Sequence, residues 1–275
     1  MTDTPQLPAT PPLRPAQQPR RFKTPRTIGA LILREMQTSY GRSPGGYLWA
    51  LLEPIGGIAL LTFILSTGFR VREPALGTNF PLFLATGTLM LSLILSIAGR
   101  VASSLESNRP LLFYPGVRFT DTIIAGFVLT LLTQVLVLYI LLFGIHILFD
   151  LSSILDLGAI FSAVALGAFL GLGIGTLNCF LIEVFPLYQR IWNVLTRPLF
   201  LVSCVMFTFE QIPRQFQDAA WWNPIIHVVG IMRRGFYPSY DASYASPLYL
   251  GLLSAITLFF GLLFLNRFHR DFLNR

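Results

Sequence analysis

TIIAGFVLTLLTQVLVLYILLFGIHILF, residues 122–149, runs for 28 positions without an Asp, Glu, Lys or Arg. About 20 apolar residues suffice for a helix to cross a bilayer, so this stretch reads as a span with length left for tilt. Gln134 is its deepest polar residue, and His146 lies toward its far end. On either side of it lie five more apolar runs: Leu48–Phe69, Phe80–Ala98, Leu157–Ile182, Ile191–Phe209 and Pro247–Leu265. Ile191–Phe209 is the weak one, because it is shorter and contains Arg197 and Pro198. The composition agrees: 53% of the 275 residues are hydrophobic and 12% are charged, against roughly 25% charged in a soluble domain. The fold expected is all-α and integral to a membrane, with six transmembrane helices.

The basic residues orient those helices. Of 20, 19 are Arg, and nearly all lie between the runs. Assigning the gaps alternately to two sides puts 15 on one side and 5 on the other. The richer side is cytoplasmic by the positive-inside rule, so both termini are expected inside. With this distribution the net charge of +7 serves orientation and anionic lipid, not nucleic acid.

Five features depart from a plain bundle. Residues 1–27 are Pro-rich and polar, and read as a disordered cytoplasmic tail; 28–275 form the transmembrane domain. In Thr27–Gly46, Ile28, Leu31, Ile32, Glu35 and Met36 follow a helical period. That pattern suits an amphipathic helix in the interface plane or a lead-in that anchors the first span. Glu106–Asp121 (ESNRPLLFYPGVRFTD) is a cytoplasmic segment with an apolar patch at Leu111–Tyr114. Such a patch is a docking surface, or packs on the membrane or on the chain's own helices. Glu210–Ala245 is external, with Pro213, Pro224, Pro238, the Trp221–Trp222 pair and an apolar run, Ile225–Met232, too short to span. Short re-entrant helices between spans five and six, or interfacial anchoring, account for it. Finally, Gly167, Gly171 and Gly175 recur at spacing four, which permits close helix packing, more simply within one subunit than across a dimer.

Several chemistries find no support in this pattern. Cys179 and Cys204 lie inside apolar runs without metal-ligand spacing, so no metal site is expected. No phosphate-loop motif and no HExxH motif occurs, so ATP binding and metalloprotease chemistry are not expected of this chain.

LILREMQTSYGRSPGGYLWALLEPI (Leu31–Ile55), ESNRPLLFYPGVRFTDTIIAGFVL (Glu106–Leu129) and AWWNPIIHVVGIMRRGFYPSY (Ala220–Tyr240) together resemble the membrane subunit of ABC-2 type exporters, in the capsular polysaccharide branch. The resemblance covers about residues 28–270. It implies a half-transporter that dimerises with a second copy of itself and sits on two copies of a nucleotide-binding ATPase subunit. That subunit would carry ATP and Mg, with no cofactor in this chain. Leu31, Arg34, Glu35 and Tyr40 would belong to an interface helix. Glu106, Arg109, Leu112, Phe113, Tyr114, Arg118 and Asp121 would form the coupling segment that enters the ATPase. The cargo would be an anionic lipid-linked polysaccharide, with a periplasmic co-polymerase and an outer-membrane exporter as further partners. Arg100, Arg109 and Arg197 are candidate contacts at the entrance, and Trp221, Trp222, Phe236 and Tyr237 at the exit. Competing readings are an ABC-2 permease for O-antigen, teichoic acid or a drug, and an integral-membrane enzyme acting on lipid-linked sugar. The enzyme needs clustered acids or histidines, whereas His146, His227 and His269 lie on different segments.

Overall fold

The computed structural model describes residues 23–40, 46–68, 74–113, 117–151 and 154–273. Tyr114, the tail up to residue 22 and the side chain of Tyr40 lie outside the described residues. The described chain is helical: α1 Lys23–Tyr40, α2 Gly46–Phe63 with a π-helical turn Ile64–Gly68, α3 Phe80–Ala102, α4 Ser104–Leu112, α5 Phe119–Leu148, α6 Leu157–Val184, α7 Pro186–Val202, α8 Arg214–Trp221, α9 Pro224–Phe236 and α10 Pro247–Leu273. Helix α1 begins at Lys23, inside the segment read as tail.

Five of the expected spans appear as helices long and apolar enough to cross a membrane, the second of them continuing from α3 through α4. The fifth run is where the structure departs from a plain span. Helix α7 has 17 residues, about 25 Å at 1.5 Å per residue, short of the ~30 Å hydrocarbon. Its start is fixed by Pro186 at the first turn, a position where the missing N–H costs nothing. Its end is followed by Cys204 at φ 56°, a left-handed conformation that an L residue adopts at a cost of roughly 1–2 kcal/mol. The chain then runs without helix to Thr208.

Other helix starts are set in the ordinary way. The Asn79 side chain accepts from Leu82 N at 3.0 Å, Asp156 from Ala159 N at 3.1 Å and Asn223 from Ile225 N at 3.1 Å, each satisfying an orphan donor of the first turn.

The centre is α6 between α3 and α10. In lipid, helices associate through close packing, which small residues allow. A Cβ on Gly171 would lie 2.9 Å from Ile94 O, and one on Gly175 2.8 Å from Ala98 O. On the other face of α6, a Cβ on Gly173 would lie 2.7 Å from Ser254 O, and one on Gly261 of α10 2.7 Å from Leu177 N. The glycine stripe is therefore spent inside this chain. These pairings rise together in number, so α3, α6 and α10 run parallel.

Candidate functional site

Polar side chains gather at the two ends of α3, with a cavity between. At the C-terminal end of α3, α1 lies along the first turns of α5, with Leu31 and Glu35 buried at i and i+4. Arg34 and Met36 remain exposed. Glu35 is 3% exposed and its Oε1 lies 2.8 Å from Arg100 Nη2, an ion pair reaching the last turn of α3. Asn108 of α4, also buried, donates from Nδ2 to Glu35 Oε1 at 3.4 Å and to Ser104 O at 3.0 Å. Its Oδ1 accepts from Arg34 Nη1 at 3.0 Å. Gly126 of α5 walls the slot, its Cβ position 3.4 Å from Arg100 Cγ and 3.8 Å from Glu35 Oε2.

Half of the segment read as a coupling loop is helix α4, which takes in Glu106, Arg109, Pro110 and Leu112. Pro110 falls near its end. Glu106, Phe113 and Arg118 are exposed, Arg109 and Leu112 are half-buried, and Asp121 is buried. Asp121 Oδ2 accepts from Arg118 N at 3.1 Å and so caps α5. A cavity of about 790 Å³ opens beside this segment, lined by Leu105, Leu112, Val117 and Phe119 and by Phe259, Leu262 and Leu263 of α10.

Midway along α3 lies a cavity of about 660 Å³ bounded by α2, α3, α5 and α7. Six polar side chains converge on it: Glu53, Thr88, Ser92, Ser96, Thr133 and Gln134, with Trp49 and Phe200 among its walls. Gln134 Nε2 donates to Ser96 Oγ at 3.0 Å. Polar groups at membrane depth face protein or water-filled space, and here they share one space. Arg197 sits exposed on α7, which has no buried residue.

At the N-terminal end of α3, α9 folds in against α3 and α6, and α8 packs on α9 with no residue of its own buried. Helix α9 is buried along most of its length, and Gly235 O accepts from Asp156 N at 2.9 Å, joining it to the start of α6. Arg233, counted from sequence among the external bases, is 1% exposed. Its Nη1 donates to Phe207 O at 2.8 Å and its Nη2 to Val205 O at 2.7 Å, while its guanidinium lies 4.1 Å from the centre of the Phe83 ring. It thus holds the irregular segment that follows Cys204. Around it Tyr240 donates to Glu210 Oε2 at 3.2 Å and meets Tyr244 at 3.2 Å between hydroxyls. Burial pushes the Tyr244 phenol up to about 12, so it stays protonated and available as a donor.

Of the aromatic residues placed along an exit, only Trp222 is openly exposed. Trp221 is half-buried and donates from Nε1 to Tyr244 O at 3.1 Å. Phe236 and Tyr237 are buried: Phe236 lies 6.1 Å from His146 ring to ring, and Tyr237 covers Gly77, whose φ is 67°. Their burial follows from the inward turn of α9. His227 Nδ1 accepts from Ser246 N at 3.1 Å and Nε2 pairs with Trp221 O at 2.7 Å. The first contact assigns the proton to Nε2. Burial lowers its pKa below the usual imidazole range.

Sequence reading missed Arg233 and Asn108 as organising residues. The available signal was an arginine closing an otherwise apolar run, Ile225–Met232, since a cation there needs internal partners.

Comparison with known proteins agrees with this architecture. Residues 26–237 match the family model described as ABC-2 type transporter. The chain is 34% identical over 239 residues to the polysialic acid transport protein KpsM of Escherichia coli, covering 86% of this chain and 91% of that one. It is 29% identical over 247 residues to the capsule polysaccharide export inner-membrane protein CtrC of Neisseria meningitidis serogroup B, covering 89% and 92%. It is also 29% identical over 248 residues to the capsule polysaccharide export inner-membrane protein BexB of Haemophilus influenzae, again covering 89% and 92%. Helices fit to cross a membrane, a glycine-packed centre and a match over most of the length agree: the chain belongs to the ABC-2 type transporter family.

Proposed function

We propose that this chain is the membrane-spanning subunit of an ATP-driven exporter in a bacterial inner membrane. It moves a lipid-linked capsular polysaccharide from cytoplasm to periplasm through a channel between two copies of itself. The observation that carries the reading is similarity to capsule export proteins across 86–89% of this chain and 91–92% of theirs. Transport of a polymer needs a path and a moving part but no chemical step. The cavity at Glu53, Ser92, Ser96 and Gln134 supplies hydroxyl, amide and carboxylate groups that hydrogen-bond sugars, with aromatic faces beside them. It adds to the entrance arginines, of which Arg197 is exposed and Arg100 is engaged by Glu35.

Six crossings with both termini cytoplasmic fit the parallel register of α6 and α10. Between two parallel spans the chain returns across the bilayer, and α7 with the segment after it is the path. Among the described residues of α2 only Ile58 is buried, and nothing lies within 4 Å of the Cβ positions of Gly56 or Gly57. With α7 these are faces for a second copy. ATP and Mg belong to the ATPase subunit, which docks on α1 and on α4 with Phe113. The periplasmic co-polymerase and outer-membrane exporter complete the machine, and α8 and α9 act as re-entrant helices at the mouth.

The test is co-purification with the ATPase and export of capsule by cells carrying L112D/F113S. Wild type retains the ATPase and exports; the variant hydrolyses ATP without export. Full export with unchanged cargo-stimulated hydrolysis would refute coupling through this segment.

A further inference from the structure

We infer that Glu35, Arg100, Asn108 and Arg34 form a mechanical joint that senses the angle between α3 and α4 and delivers it to α1. The claim rests on the proposed docking of an ATPase at α1 and α4, and adds how that push reaches the membrane. Helices α3 and α4 are separated by a single residue, Ser103. One carboxylate oxygen of Glu35 serves both sides of this break: Arg100 before it at 2.8 Å, and Asn108 after it at 3.4 Å. Asn108 binds α1 a second time, through Arg34 at 3.0 Å. If α4 swings about Ser103 while α1 stays in place, Oε1 of Glu35 cannot keep both partners. If all contacts hold, α1 and α4 move together and pull the end of α3 with them. Either way the α3–α4 angle and the position of α1 are linked.

The energetics favour a stiff link. Glu35 and Asn108 are each 3% exposed, and a buried carboxylate is costly unless paired. Separation of the pair is therefore strongly disfavoured, more so than for an exposed bridge. Gly126 on α5 leaves the slot open for the Arg100 side chain. These are positioning residues. Arg100, which the sequence placed among cargo contacts, is the counter-ion of α1.

The test uses the full-length permease in nanodiscs, alone and with its ATPase. Spin labels at the exposed positions Gln37 on α1 and Ser107 on α4 report the α1–α4 distance. Wild type is expected to give one narrow distribution, Glu35→Gln a broadened one, and the swap E35R/R100E a narrow one again. In the coupled complex, Glu35→Gln and Arg100→Gln each lower capsule export by about tenfold, as expected for contacting residues, while the ATPase still co-purifies; the swap recovers export. Asn108→Leu, which leaves the ion pair in place, broadens the distance without loss of folded protein. An unchanged distribution in Glu35→Gln, or single variants exporting at the wild-type level, would overturn the joint. Failure of wild type to bind any ATPase would instead defeat the functional reading, and the distance measurement on the permease alone would still decide whether the joint exists.

Discussion

Replacing Arg233 with Met tests whether a buried guanidinium holds the irregular segment that follows α7. Met fills most of the apolar volume but donates nothing. Two carbonyls, Phe207 O at 2.8 Å and Val205 O at 2.7 Å, lose their donors, at about 1–3 kcal/mol each when buried. The contact over Phe83 at 4.1 Å is worth ~2 kcal/mol when desolvated. Relief of the guanidinium's own desolvation offsets part of this, leaving a net loss of roughly 3–5 kcal/mol. At about 2 °C per kcal/mol for a chain of this size, the melting temperature falls by about 6–10 °C. Arg233→Lys loses less, because an ammonium is a compact donor without the planar fork that spans two acceptors. Thermal unfolding in nanodiscs, followed by Trp fluorescence, measures the shift. Cys204 provides a local readout: it is 1% exposed beside Val205, and Cys179, at 0%, is an internal control. Release of the segment exposes Cys204 to a thiol reagent before Cys179 reacts. If Arg233→Met melts within about 1 °C of wild type and Cys204 stays protected, the latch does not exist.

Gly175→Ala places a methyl 2.8 Å from both Ala98 O and Val101 Cβ, whereas the methyl of Gly99→Ala meets nothing within 4 Å; overpacking predicts a loss of about 1–3 kcal/mol for the first and little for the second, read as melting temperature. His227 accepts from Ser246 N, and burial lowers its folded pKa. The stability this gives is full above the ordinary histidine pKa of ~6.5 and is lost as pH falls from there through the folded value. His227→Gln should flatten the fall in melting temperature across that acidic range, and an unaltered profile would place the titration elsewhere.

How much was legible in advance depended on whether the determining interaction was local. The span read at residues 122–149 appears as Phe119–Leu148, and the run at Leu157–Ile182 as Leu157–Val184. Solvation by lipid acts on each run by its own length and composition, so no partner is needed to read it. Period and punctuation likewise pointed to α1, to Pro224 at the start of α9 and to the glycine stripe. The fifth run failed as a simple helix because its course depends on a distant side chain. Arg233 binds the carbonyls beyond Cys204, and nothing within Ile191–Phe209 announces that. Arg100 illustrates the same limit. Its sequence neighbours mark it only as a cation at a span's end, and its role was set by Glu35, which α5 and α1 bring to within 2.8 Å. Sequence alone therefore marked the runs that form five helices long and apolar enough to cross a membrane, and the arginine distribution supplied an expectation of their orientation. Tertiary structure decided which charges are spent on holding the protein together, because a buried charge is defined by its partners, and those partners lie elsewhere in the chain.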